Sequence, residues 1–277
     1  MDQLSFPRRT FIKHAIVVGA GAVLIPGLAS NRAYGQQKNS VLKGKKVLFV
    51  YGGYKGHEPE LCRDIIVPWM ESEGALVTVS ANLDIYTDMS LMSDLDLIIH
   101  NYTQGNIEKE QEKGLLDAVA GGVGLAGWHG GLGDSFRKNV KYQFMVGGQW
   151  VAHPGGVIDY EVNITNIKDG VTNGLSDFNM HSEQYYLHVD PNVKVLATTT
   201  FNADHAEWID GATMPVVWKK VYGKGRVFYS SLGHVASDFD VPEVLEIMKR
   251  GIRWASQSKY KPLPKWIEPV YPGRTKY

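Results

Sequence analysis

Three histidines stand on glycine-flanked turns directly after short apolar runs. They are His57 in Gly52-Gly53-Tyr54-Lys55-Gly56-His57-Glu58, His129 in Gly127-Trp128-His129-Gly130-Gly131, and His234 in Gly233-His234-Val235-Ala236-Ser237-Asp238. Histidine titrates near neutrality and ligates metals, so each is a candidate general base or ligand. One histidine in such a place is ordinarily a structural hydrogen-bonder; three at corresponding strand ends point to a functional cluster. The turn around His129 has the G-x-X-x-G shape of a nucleophile elbow, where flanking glycines admit a sharp turn. Histidine in place of serine or cysteine cannot serve there as the usual acyl-transfer nucleophile. It can act as base or ligand, or the turn can be a glycine-rich bend around a buried histidine. Glu183 is a candidate acid, ligand or hydroxyl acceptor. His181, two residues earlier, shares a face with it on an extended chain and would make a ligand pair. His153, before Pro154, either completes a site or belongs to a loop. Asp238 and Asp240 either orient His234 or begin the final helix as solvated loop residues. Histidine with carboxylate is a common zinc set, although no H-E-x-x-H or C-x-x-C spacing occurs.

The elements that must position these residues can be read from hydrophobic pattern. Apolar β-type runs at 45–51, 75–80, 96–100 and 122–127 alternate with helical spacing at 61–73 and 107–119. Near-continuous apolar runs between helices imply a buried, doubly wound, mostly parallel sheet. Ligands then bind beyond the carboxyl ends of the strands, where the three histidines fall. Strands at 157–164, 185–188, 193–200 and 214–221 follow with short turns, which predicts an antiparallel extension. Residues 224–231 return to the main sheet, and 242–256 form an amphipathic helix with Pro242 at its start. The domain therefore spans 45–256, and 257–277 is a tail rich in Pro, Lys and Tyr that wraps the surface.

The N-terminal 35 residues read as a signal peptide. Arg8-Arg9 and Lys13 form a basic region, 15–28 an uncharged apolar stretch, and Ala33-Tyr34-Gly35 a small-residue cleavage site. The arginine pair points to the twin-arginine route, with cleavage near Gly35 and a periplasmic destination; an uncleaved anchor is the alternative. No later segment is long and apolar enough to span a membrane. Formal net charge is zero, so bulk attraction recruits neither nucleic acid nor acidic lipid. A single cysteine, Cys62, allows no intrachain disulfide and sits in an apolar helical stretch as core. Its isolation fits folding in the cytoplasm before export, where a metal can be inserted.

Several segments resemble one known family. Trp128-His129-Gly130-Gly131, Gly147-Gly148 through His153-Pro154, Glu183-Gln184-Tyr185, Pro215-Val216-Val217-Trp218 and Tyr222-Gly223-Lys224-Gly225-Arg226-Val227 through Gly233-His234 look like the ThuA-like, or trehalose-utilisation, family. The resemblance covers nearly all of 45–256 and implies a fold similar to class I glutamine amidotransferases. Their elbow cysteine corresponds to His129, and their His-x-Glu ending to His234-Val235-Ala236, so amidotransferase activity is not expected. The family is associated with sugar utilisation beside oxidoreductases that make 3-keto sugars. This implies a small sugar substrate, a sugar oxidoreductase as functional companion, and no nucleotide cofactor. The expected activity is a hydrolase or lyase on 3-keto glycosides such as oxidised trehalose, by histidine-assisted proton abstraction with or without a divalent metal, zinc foremost. That route needs a base and an electrophile, not the paired carboxylates of ordinary glycosidases. His129, His57, His234 and Glu183 are the expected catalytic residues. Trp128, Tyr185, Gly130 and His153 are expected to contact substrate, with the two aromatics stacking on sugar or filling core. His57, His129 and His181 are the expected metal ligands. The alternative is a non-catalytic periplasmic carbohydrate-binding domain with a degenerate site.

Overall fold

In the first strand, β1 (Lys46–Gly53), successive apolar residues point to opposite faces, and both faces are buried. Val47 and Phe49 enter one core; Leu48 and Val50 enter the other. The computed structural model describes residues 40–265; the signal-peptide reading over 1–35 and the end of the tail lie outside them. From β1 the chain runs through α1 (Pro59–Ser72), β2 (Leu76–Ser80), α2 (Met89–Asp94), β3 (Leu97–Thr103), α3 (Lys109–Gly121) and β4 (Gly124–Trp128). Next come α4 (His129–Gly133), α5 (Val140–Val146), β5 (Gly148–Ala152), β6 (Val157–Ile164), β7 (Phe178–Glu183), β8 (Tyr186–Val189) and β9 (Lys194–Thr200). A hairpin, β10 (Thr213–Tyr222) and β11 (Gly225–Ser230), and the last helix, α6 (Pro242–Ala255), complete the domain.

A nine-stranded sheet has the order β2-β1-β3-β4-β11-β10-β9-β6-β7, and β5 pairs with β8 in a separate antiparallel ribbon. The pairings from β2 to β11 are parallel, and those from β11 outward are antiparallel. Apolar residues of α1 and α6 (Ile66, Met70, Ile247, Ile252) share the core of Val47 and Phe49. Those of α3 and α5 (Leu115, Val119, Met145, Val146) share the core of Leu48 and Val50. Helices therefore cover both faces, as a doubly wound sheet requires. β1 pairs with β2 on one side and β3 on the other, so the strand order reverses there and leaves a crevice beyond their carboxyl ends.

Local chemistry sets the helix ends. Pro59 and Pro242 occupy first-turn positions that need no N–H donor. Glu108 and Gln111 form a capping box on α3, which ends at Gly122 with φ 120°. The expected strand at 224–231 does return to the parallel sheet, as β11 beside β4. Pattern reading missed β5, β7, α2, α4 and α5. In β7 the exposed positions are Asn179 and His181, residues with little strand preference, and the three helices are only five to seven residues long. The start of the tail packs on the domain: Lys259 donates to the carbonyls of Ser93 and Leu95, and Tyr260 donates to Asp96. Among the described residues, no helix is long and apolar enough to cross a membrane.

Candidate metal centre and active site

The chain end of β1 carries His57. Gly52 (φ 141°) and Gly53 (φ 78°) bend the strand, and a Cβ on Gly53 would lie 1.9 Å from the Thr103 carbonyl oxygen. Glycine is therefore required where β1 and β3 close on each other. His57 ends a 3-10 turn, and its Nδ1 lies 2.9 Å from Thr103 Oγ1 at the end of β3.

His129 opens α4 with φ 45°, a left-handed conformation unusual for a residue with a Cβ. Such strain costs about 1–3 kcal/mol and persists only where the surroundings impose it. Here α4 is pressed against the sheet. Cβ atoms on Gly131 and Gly133 of α4 would meet Asn101 Oδ1 at 2.0 Å and the Tyr229 hydroxyl at 2.3 Å, and one on Gly127 of β4 would meet Leu132 Cβ of α4 at 2.8 Å. The Tyr229 hydroxyl donates to the His129 carbonyl (3.2 Å). His129 Nδ1 donates to the Ser231 carbonyl (2.8 Å), which turns Nε2 toward Glu183 Oε2 at 3.1 Å.

His234 follows Gly233, where φ is 96° and a Cβ would meet Trp128 at 2.8 Å. Its backbone N–H donates to Asp238 Oδ2 (2.9 Å), the same oxygen that accepts the Ser182 hydroxyl (2.7 Å). Asp238 thus ties the His234 turn to the end of β7, beside Glu183. The Ala236 N–H donates to Glu58 Oε2 (3.0 Å), tying the same turn to the His57 loop.

Glu183 arrives from the far edge of the sheet. A flat sheet would hold β7 about 24 Å from β4, five strand spacings away, yet the Glu183 carboxylate touches His129. The antiparallel half must therefore curl over the crevice. The register shifts between Pro215 and Trp218 in β10 supply local twist.

One ligand atom from each of His57, His129, Glu183 and His234 lies within 4.8 Å of the others. His234 Nε2 and His153 Nε2 each lie 3.7 Å from Glu183 Oε1. Burial, then the charges of His129 and His234, depresses His57 to about 3. Burial first and His129 second also lower His234. For Glu183, burial pushes the carboxyl up, but the His129 hydrogen bond and the charges of His129, His234 and His153 outweigh it and hold it at about 2. At neutral pH the centre therefore contains an ionised carboxylate and at least two neutral imidazoles. With Nδ1 of His129 donating to Ser231, Nε2 is the ring atom left to act as a ligand. Three imidazole nitrogens and a carboxylate oxygen are a suitable donor set for a cation with bonds of about 2.0–2.2 Å to nitrogen and oxygen.

The structure brings together His57, His129, His234 and Glu183, with His153 at the edge. His181 is not among them. Its ring is largely exposed, pairs with Asp159 (2.7 Å), and lines a separate surface pocket with Glu161 and Asn179. Period-two reasoning put it on the face of Glu183, but Glu183 ends the strand and turns inward with Ser182. Trp128 is no sugar platform: it is 1 % exposed and packs on Phe49 and Phe239. Tyr185, 3 % exposed, stacks on His129 at 3.9 Å and so buttresses it. Gly130 is buried beneath His57. Asp238 holds the His234 backbone rather than its ring. Cys62 lies in α1, its thiol pushed up to about 12 chiefly by burial and donating to the His57 carbonyl (3.7 Å); it is far from nucleophilic and not on the elbow. Thr103, Ser182 and Glu58 were missed. Thr103 was within reach of the strand-end rule, but β3 runs three residues past the apolar run that announced it.

This chain's residues 46–255 match the family model ThuA, trehalose utilisation. No curated protein matches the chain. Among solved structures, a ThuA-like protein from Bacteroides uniformis is 16% identical, with a TM-score of 0.66 over 77% of this chain and 92% of its own. A ThuA-like protein from Parabacteroides merdae is 17% identical, with a TM-score of 0.62 over 80% and 94%. A cytoplasmic protein from Salmonella typhimurium is 14% identical, with a TM-score of 0.53 over 77% and 98%. At these identities the structures speak for the fold, and the family model, which spans the whole doubly wound domain, places this chain in the ThuA, or trehalose-utilisation, family.

Proposed function

We propose that this protein cleaves 3-keto glycosides, such as oxidised trehalose, with a divalent cation of the zinc type held by His57, His129, Glu183 and His234. The observation that carries the reading is the convergence of three histidines and a carboxylate from four separate segments, one of them on a strained elbow. When bound, the cation supplies electrophilic stabilisation for the oxygen of the 3-keto group as charge develops on it. His129 is too deeply held to reach substrate: it is 1 % exposed, with Nδ1 on Ser231 and Nε2 turned into the cluster as a ligand atom. His153 takes the part of the base, since its side chain is 37 % exposed and its Nε2 faces Glu183. It removes the proton on C2 of the sugar. The electron pair forms the C1–C2 double bond, and the C1–O bond breaks. The departing oxygen takes the proton from His153. Water then adds across the double bond, hydroxyl to C1 and hydrogen to C2, so that the net change is hydrolysis. A sugar oxidoreductase supplies the keto substrate. Export by the twin-arginine route, after folding and cation loading in the cytoplasm, belongs to the same reading; Arg8→Lys with Arg9→Lys should keep the protein in the cytoplasmic fraction.

The test is product release from 3-keto-trehalose and a 3-keto aryl glucoside beside the unoxidised sugars, with and without chelator, and with His129→Ala. Turnover of keto sugars alone, lost on chelation and in the variant, supports the reading. Sugar-dependent stabilisation without product supports a carbohydrate-binding protein instead. Absence of stoichiometric metal in protein folded in the cytoplasm removes the cation from the scheme.

A further inference from the structure

A ligand that approaches the cluster from solvent meets few of its side chains. His57, His129 and Tyr185 are buried, and the side chains of Glu183 and His234 expose little more. Two rings at the site reach well into water: His153, and Tyr54, which is 53 % exposed. Tyr54 stands on the turn that delivers His57. Its N–H donates to the Thr103 carbonyl (3.1 Å), and its own carbonyl accepts the His57 N–H (3.3 Å). Its ring meets the His57 ring edge-on at 5.1 Å and lies over Gly56, where a Cβ would approach the ring to 2.4 Å. Backbone, glycine and histidine thus fix an aromatic side chain against His57 while leaving half of it in water. An aromatic ring presents an apolar face with a polar tip, at the cost of ordering two torsions. The apolar C–H face of a pyranose, edged with hydroxyls, is the matching surface.

We infer that Tyr54 is a sugar-stacking residue of this site, in the part that sequence reading gives to Trp128. The inference rests on the proposed activity and adds the residue that grips the sugar ring. It is tested in the full chain with Tyr54→Ala and Tyr54→Phe, by titration with unreactive trehalose, by steady-state kinetics on 3-keto-trehalose, and by bound-metal content. Loss of the ring should raise the trehalose Kd and the KM about tenfold or more, leave kcat within about threefold, and leave metal content unchanged; Tyr54→Phe should stay near wild type. Wild-type affinity in Tyr54→Ala would overturn the inference while the proposed activity stands. So would loss of metal together with affinity, since Tyr54 would then act through His57. A wild-type protein that neither binds trehalose nor turns over the keto sugar would overturn the sugar reading and Tyr54's part in it together.

Discussion

Gly130→Ala alters no candidate ligand, yet should disable the centre. The added Cβ would lie 2.6 Å from His57 Cε1, 2.8 Å from His57 Nδ1 and 2.9 Å from Thr103 Cγ2. Carbon contacts are comfortable at about 3.5–4.0 Å, so the imidazole must retreat by about 1 Å. That breaks the 2.9 Å contact between His57 and Thr103. It also exceeds the ~0.2 Å tolerance of a metal–ligand distance several-fold. Overpacking costs about 1–3 kcal/mol, and alanine returns about 1 kcal/mol of helix propensity over glycine. Net destabilisation should thus be at most about 2 kcal/mol, a fall in Tm of about 4–8 °C for a domain of this size, and the fold should survive. Disturbing a group behind the ligands ordinarily costs 10- to 100-fold in metal affinity; displacing a ligand itself should cost about 100-fold or more. Chelator competition for zinc measures this, with thermal melting of the metal-free protein alongside. Gly121→Ala, with no atom within 4 Å of its added Cβ, is the control and should bind metal like wild type. A Gly130→Ala protein that holds zinc as tightly as wild type would refute the placement of His57 in the centre.

Asp238→Ala should strand the Ser182 hydroxyl and the His234 N–H, weakening zinc binding about 10- to 100-fold, while Asp238→Asn, which keeps an acceptor, recovers most of it; equilibrium dialysis separates them, and equal loss in both variants would point to charge instead. His181→Ala, on an exposed pair with Asp159, should leave metal content and keto-sugar turnover unchanged and shift stability by no more than about 0.5 kcal/mol. The chelated protein should lose stability as pH falls from 6.5 toward 3. Burial holds His57 and His100 each at about 3, so across that window the unfolded chain binds protons that the folded one refuses. With both groups contributing, the slope approaches about 2.7 kcal/mol per pH unit. Urea denaturation at pH 7 and pH 5 measures it, and equal stability at the two would contradict the burial of these rings as neutral groups.

Local sequence pattern was enough to predict the parallel half of the fold and to name His57, His129, His234 and Glu183 as site candidates, with His181 the one expected ligand that lies outside the cluster. Near-continuous apolar runs in β1 and β3 can bury both faces only between two layers of helix, so the doubly wound sheet follows from local pattern. Parallel strands end along one edge, which is why histidines far apart in the chain were expected to meet. The glycines around His129 announced the sharp turn that its φ of 45° realises. Tertiary structure decided the rest. Whether His181 or Glu183 belongs to the centre depends on where β7 stops and how far the antiparallel strands curl, and no local period encodes that curl. The fate of the aromatics was equally hidden. Trp128 ends β4 and Tyr54 directly follows β1, but Phe49 and Phe239 close over Trp128, whereas Gly56 and His57 hold Tyr54 against one side and leave the other to water. Exposure is set by what packs from elsewhere in the chain, so residue type and spacing place a side chain near a site without saying whether a ligand can reach it.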